Sequence, residues 1–185
     1  MGTPKKHAAP AVEQAIASLV SALAERHRQT PRLLLLGIAN GGITLTQRLA
    51  TRLLAAGVKC GTGTIDISFH RDDIGRHPIP KEFSPTLIPH DVNGATVVLV
   101  DDVLFSGRTV KAALDELFDH GRPTQVELAV LVDRGGRRLP FAADHVGLTL
   151  HATAHEKVVV RLDPHRPAND FIALEPTRAS QRSAI

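Results

Sequence analysis

The chain has 185 residues, 43% of them hydrophobic, and a formal net charge of +3; this fits one globular domain with a sizeable core and excludes wholesale disorder. Its single cysteine, Cys60, excludes an intramolecular disulfide and suits a reducing cytoplasm. No apolar run approaches the roughly 18 residues of a membrane span, and the mild positive balance suits a phosphorylated ligand without demanding nucleic acid.

Residues 1–9 carry Gly, Pro and Lys and read as a flexible N-terminus ahead of a domain over 10–175, with a polar, flexible tail over 176–185. Pro10 opens a helix. Val12, Ala15, Ile16, Leu19, Val20 and Leu23 fall on one face of it, and Arg26, His27 and Arg28 complement its dipole at the far end before Pro31 stops it. Leu33 to Ile38 reads as a buried strand. The turn Ala39-Asn40-Gly41-Gly42 leads from it into a helix from Ile43 to Ala56. Its glycines allow backbone N–H groups to approach an anion, and a plain strand-to-helix turn would use them equally well.

Thr64 to Phe69 alternates as a strand does. His70 to Pro89 then has no periodicity and holds four prolines, and a loop of that length is usually functional. Within it, Arg71 offers a charge for phosphate or for a surface ion pair. Asp72 and Asp73 suit either the loop's own anchoring or a metal.

The most informative stretch follows. Val97 to Val100 reads as a strand buried on both faces, and Asp101 and Asp102 come where that strand should end, exposed. Val103, Leu104 and Phe105 lead into the turn Ser106-Gly107-Arg108-Thr109, and Val110 to Phe118 has the pattern of an amphipathic helix. The turn brings backbone N–H groups, two hydroxyls and a helix N-terminus to one place, which suits a phosphate. Two carboxylates cannot favourably touch that phosphate. They suit the hydroxyls of an attached sugar, or a Mg2+ ion through its waters. The pattern therefore asks for one ligand carrying phosphate, polyol and metal together, at the carboxyl end of a parallel sheet.

Val126 to Val132 is another buried strand, and Asp133-Arg134-Gly135-Gly136 lies at its carboxyl end, placed either to touch a ligand or to form an ordinary turn. His145 to Leu150 and Lys157 to Leu162 read as short strands. His151 and His155, followed by Glu156, have a spacing that binds zinc on a helix, but here they fall between strand-like runs. Asp163, His165, Arg166 and Asp170 read as a solvated turn.

An apolar strand, Asp-Asp, three residues and Ser-Gly-Arg-Thr resembles the phosphoribosyl pyrophosphate (PRPP) motif of type I phosphoribosyltransferases, matched completely from Asp101 to Thr109. With Phe69-His70-Arg71-Asp72-Asp73 upstream and Leu128 to Gly135 downstream, the chain is similar to PyrR proteins, bacterial pyrimidine-operon regulators that carry uracil phosphoribosyltransferase activity. The resemblance implies a type I phosphoribosyltransferase fold, a mainly parallel sheet flanked by helices with a small hood. It implies transfer of phosphoribosyl from PRPP to uracil, giving UMP and pyrophosphate, with Mg2+ as cofactor. By the same resemblance Asp101, Asp102 and Arg71 are catalytic, and Asp101 and Asp102 hold the metal through waters. Val103, Leu104, Phe105, Ser106, Gly107, Arg108 and Thr109 bind the PRPP 5′-phosphate. Ala39, Asn40, Gly41 and Gly42 form the pyrophosphate loop. Asp72 and Asp73 belong to a flap, and Val132, Asp133 and Arg134 meet the base. A homodimer or higher homo-oligomer in the cytoplasm, with no membrane partner, is implied as well.

Two departures matter. The pyrophosphate loop has Ala39 and Asn40 where relatives often carry a basic residue and Thr. Ala17 to Ala22 and Phe141 to Leu148 lack the cations that RNA-binding relatives tend to carry there. Two alternatives stay open: a UMP-responsive mRNA-binding attenuation regulator with little catalysis, and a purine phosphoribosyltransferase, since the PRPP motif serves all three.

Overall fold

The computed structural model describes residues 6–68 and 85–177. The aperiodic segment's Arg71, Asp72 and Asp73 lie outside the described residues.

A five-stranded parallel sheet forms the body, in the order β3 (Gly61–Ile65), β2 (Leu33–Ile38), β4 (Thr96–Leu104), β5 (Gln125–Asp133), β6 (His145–Thr149). Alternate residues of the central strands feed opposite faces. Leu33, Leu35, Val98, Val100, Ala129 and Leu131 pack under α1 (Ala9–His27) and α2 (Gly41–Ala55). Leu34, Leu36, Val97, Leu99, Leu128 and Val130 pack under α3 (Arg108–Asp119). Strands covered on both faces explain the unbroken apolar runs.

The chain runs from β2 outward to β3 on one side, then from β4 outward through β5 to β6 on the other. The order therefore reverses between β2 and β4, and a crevice opens there at the carboxyl ends of the strands. Pairing makes it deeper. The β2–β4 ladder ends at Gly37 opposite Val100, while β4 continues beside β5 through Asp101 opposite Val130 to Leu104 opposite Asp133. The strand expected to stop at Val100 thus carries its two carboxylates within its own length.

A second, three-stranded antiparallel sheet, β1 (Lys6–Ala8), β8 (Phe171–Pro176), β7 (Glu156–Arg161), forms the hood. The flexible N-terminus expected over 1–9 is corrected at residues 6–8, which pair with 171–173. A partner strand from the other end of the domain satisfies their backbone groups. The turn read as solvated is corrected too. Asp170 is buried and ion-paired with Arg48 of α2, fastening the hood to the body. Among the described residues no helix is long and apolar enough to cross a membrane.

Candidate active site

Asp101 and Asp102 sit at the switch-point crevice. Asp101 is 7% exposed, not open to solvent as its place at a strand end suggested; Val103 and Leu104 prolong the strand beyond it and β5 covers its flank. The backbone N–H of Asp102 donates to Asp101 Oδ1 at 2.9 Å. Burial holds the Asp101 carboxyl well above the usual range, and the adjacent charge of Asp102 pushes it further. Burial also raises Asp102. Two carboxyls in one dry crevice, without a cation among the described residues to offset them, favour a positively charged ligand or a metal ion with its waters.

The turn after β2 faces this pair. Its Ala39–Asn40 peptide is cis, and the Ala39 N–H donates to Ile65 C=O at 2.9 Å. A Cβ on Gly41 would stand 2.5–2.7 Å from the Asp102 carboxylate, and one on Gly42 would collide with the backbone oxygen of Val100. Glycine at 42 is therefore required by the backbone of β4, and glycine at 41 leaves the Asp102 carboxylate its place. Asn40 is exposed at the mouth, and Ala39 is partly so.

Downstream, the predicted phosphate segment divides in two. Val103 packs against the core, Leu104 is 2% exposed, and both belong to β4. The loop proper is Phe105, Ser106 and Gly107, followed by Arg108 and Thr109 in the first turn of α3. Gly107 takes φ +88°, a conformation that favours glycine. The loop's shape is imposed from the segment after β5. Ser106 C=O accepts the N–H groups of Arg138 and Leu139, both at 3.0 Å, and Leu104 C=O accepts the Arg134 N–H at 3.1 Å. Lys111 N–H donates to Gly107 C=O at 3.0 Å. The carbonyls are thus turned toward protein, and at the start of α3 the Arg108 N–H donates to Ser106 Oγ at 3.3 Å.

The three residues expected at the base separate by role. Val132 is fully buried in the core. The Asp133 carboxylate is already used: Oδ1 accepts the Gly135 N–H at 2.8 Å and Oδ2 pairs with Arg137. Only Arg134 remains as a side chain for a ligand. Its guanidinium lies 3.9 Å over the Phe105 ring, which is 38% exposed, and its buried Nε has no partner among the described residues.

Two residues outside the predicted site have partly buried polar contacts near it. Arg137 donates to Phe105 C=O at 3.1 Å and Phe141 C=O at 2.9 Å while paired with Asp133, locking the loop over 105–107 to the end of β5. Asp66, just past β3, is 7% exposed. Its Oδ1 accepts the Ser68 N–H and hydroxyl at 3.0 and 2.6 Å, and its buried Oδ2 has no partner among the described residues. Its position at the carboxyl end of a strand was the only available signal.

Residues 7–163 match the model of the phosphoribosyl transferase domain. The chain is 43% identical to a bifunctional protein PyrR of a Geobacter species over 87% of its own length and 92% of the relative's. It is 53% identical to the one from Corynebacterium efficiens over 71% and 69%. Among solved structures, the hypoxanthine phosphoribosyltransferase of Trypanosoma cruzi in complex with the product IMP shares the fold, with a TM-score of 0.68 at 21% identity, covering 100% of this chain and 97% of that one. The chain therefore belongs to the phosphoribosyltransferase family and, within it, to the bifunctional PyrR proteins.

Proposed function

We propose that this crevice transfers phosphoribosyl from PRPP to uracil, giving UMP and pyrophosphate. The observation that carries the reading is the buried, raised carboxylate pair Asp101–Asp102 one short loop away from the N-terminus of α3. The 5′-phosphate takes the N–H groups around Gly107 and the hydroxyls of Ser106 and Thr109. Asp101 and Asp102 then lie beside the sugar. As pyrophosphate leaves, C1 of the ribose gains positive charge, by analogy with glycoside cleavage, and a carboxylate pair in a dry site favours that charge. Mg2+, when bound, neutralises the leaving pyrophosphate; Asp101 and Asp102 suit its waters, and its charge would relieve their mutual repulsion. Arg134, stacked on Phe105, is the side chain best placed to meet the base. No protein nucleophile is needed.

The test is a PRPP-dependent assay with Mg2+ and with uracil, hypoxanthine and guanine side by side. UMP from uracil alone is expected. Turnover of a purine instead would make this a purine enzyme, and no turnover of any base would end the catalytic reading.

The same reading assigns weak RNA binding. The outward face of α1 presents Ala17, Ser18, Ser21 and Ala22, which neutralise no phosphate. Arg137, an arginine after β5 that could otherwise meet a phosphate, is committed to Asp133. A filter-binding titration with structured leader RNA, across a salt series and with or without UMP, should give weak binding. Tight, UMP-enhanced binding with a steep salt slope would favour the attenuation regulator.

A further inference from the structure

At the amino-terminal end of the same sheet, three side chains that the transfer reaction does not use converge. His27 closes α1, Glu127 lies near the start of β5 and His145 opens β6. Their side chains are 2%, 5% and 10% exposed. Both imidazole Nε2 atoms address one oxygen, Glu127 Oε2, at 3.1 Å from His27 and 2.8 Å from His145. The three ligand atoms all lie within 4.8 Å of one another. An outer layer holds them. Glu127 Oε1 accepts from Gln125 Nε2 at 2.7 Å and from Arg26 Nε at 3.3 Å, and His27 Nδ1 faces Thr30 Oγ1 at 3.2 Å.

We propose that His27, Glu127 and His145 form a binding site for one divalent transition-metal ion, with Zn2+ as the ion whose chemistry fits. Two imidazoles and a carboxylate suit zinc, whereas Mg2+ and Ca2+ prefer oxygen ligands throughout. With zinc bonds of about 2.0–2.2 Å in a tetrahedral set, neighbouring ligand atoms stand roughly 3.3 Å apart. The contacts to Glu127 Oε2 need about 0.2 and 0.5 Å of opening to meet that spacing, and the two Nε2 atoms, within 4.8 Å of each other, close toward it by side-chain rotation. The fourth position falls to a water.

The protons also balance. Without metal, each Nε2–H donates to Glu127, and the Thr30 hydroxyl donates to His27 Nδ1. A metal takes the Nε2 lone pair, so the ring proton moves to Nδ1, and His27 Nδ1–H then donates to Thr30 Oγ1. A hydroxyl serves either direction. This is the outer-shell partner that metal-bound histidines characteristically keep. Arg26, which donates to Glu127, is 58% exposed, so the cluster lies one side chain from solvent. From Glu127 to Asp133 the strand spans about 20 Å, so the ion is remote from the transfer chemistry. Its role is to fasten the end of α1 to β5 and β6.

The test uses the full chain in excess Mg2+, which occupies oxygen-rich sites, with zinc titrated against a chromophoric chelator and Co2+ substituted for absorption spectroscopy. One zinc per chain is expected, with a rise in thermal midpoint on zinc addition and a Co2+ spectrum of nitrogen and oxygen ligation. His145→Asn should abolish binding, and Thr30→Val, at a partly exposed position, should weaken it by about 10–100-fold. His151→Ala with His155→Ala should leave it unchanged. A wild-type chain that retains no zinc, or zinc affinity untouched in Thr30→Val, would overturn the proposal even if His145→Asn fails to fold.

Discussion

The two ends of the parallel sheet handle buried carboxylates in opposite ways. At the carboxyl end, Asp101 and Asp102 share a crevice, and burial raises both, Asp101 the more because Asp102 is beside it. At the amino end, burial likewise works to raise Glu127, but hydrogen bonds and charge from His145, His27 and Arg26 bring it below its usual value. The desolvation is of the same kind at both ends; the donors differ. At the carboxyl end the donors are too few to offset burial, whereas at the amino end they outweigh it.

Removing the satisfied carboxylate should have the largest effect. Glu127→Ala leaves two buried imidazoles and Gln125 without their acceptor, a loss of about 3–5 kcal/mol. In chelator, that should lower the thermal midpoint by roughly 6–20 °C. A midpoint within a degree of wild type would erase the contrast. Next comes the unsatisfied pair. Asp102→Asn should reduce phosphoribosyl transfer by about 10²–10³-fold with little loss of stability, measured by initial rates beside a melt. Thr109→Val removes one hydrogen bond to a charged group, about 1.5–3 kcal/mol, which should weaken UMP binding roughly 10–100-fold by calorimetry.

Two smaller effects sharpen the comparison. Gly41→Ala should displace the Asp102 carboxylate, whose atoms stand 2.5–2.7 Å from the new Cβ, and so lower the rate with a modest change in midpoint. Asp101→Asn should stabilise the ligand-free chain at neutral pH, by about 2–4 °C for each kcal/mol relieved. The sign follows from its raised folded pKa. Relative to an unfolded value near 3.8, the folded chain holds the proton more tightly, so Asp101's contribution is complete below that value and is lost as pH rises through the folded one. The stability gap between variant and wild type should therefore widen from acid to neutral pH.

The motif from Val97 to Thr109 was legible because a strand covered on both faces must be apolar throughout and a phosphate loop must break that run with Gly107. The burial of Asp101 was not legible. It depends on β5 pairing past the point where β2 has stopped, and pairing partners are not local information. Asp133 read equally as a ligand residue or part of a turn, and only the bend of the chain after β5 brings Arg137, four positions on, back to pair with it. Zinc spacing drew attention to His151 and His155 because they are close in sequence. The cluster that converges joins His27 to Glu127, 100 positions away. Of the hood strands, β7 was legible as the apolar run read over 157–162, whereas β1 has three residues and no periodicity can show in so few.

The pairing of β1 with β8 has a consequence for the order of assembly. During synthesis, Lys6 must wait for Ala173, its partner in the register. At ~5–20 residues per second, that wait is on the order of 8–33 s. The parallel sheet from β2 to β6 needs nothing beyond Thr149, so the nascent chain can close its catalytic body before the hood exists. An early β1 with free backbone groups is an open template for a neighbouring chain on the same message, and the hood is the part of the fold whose yield should respond most to the pace of translation.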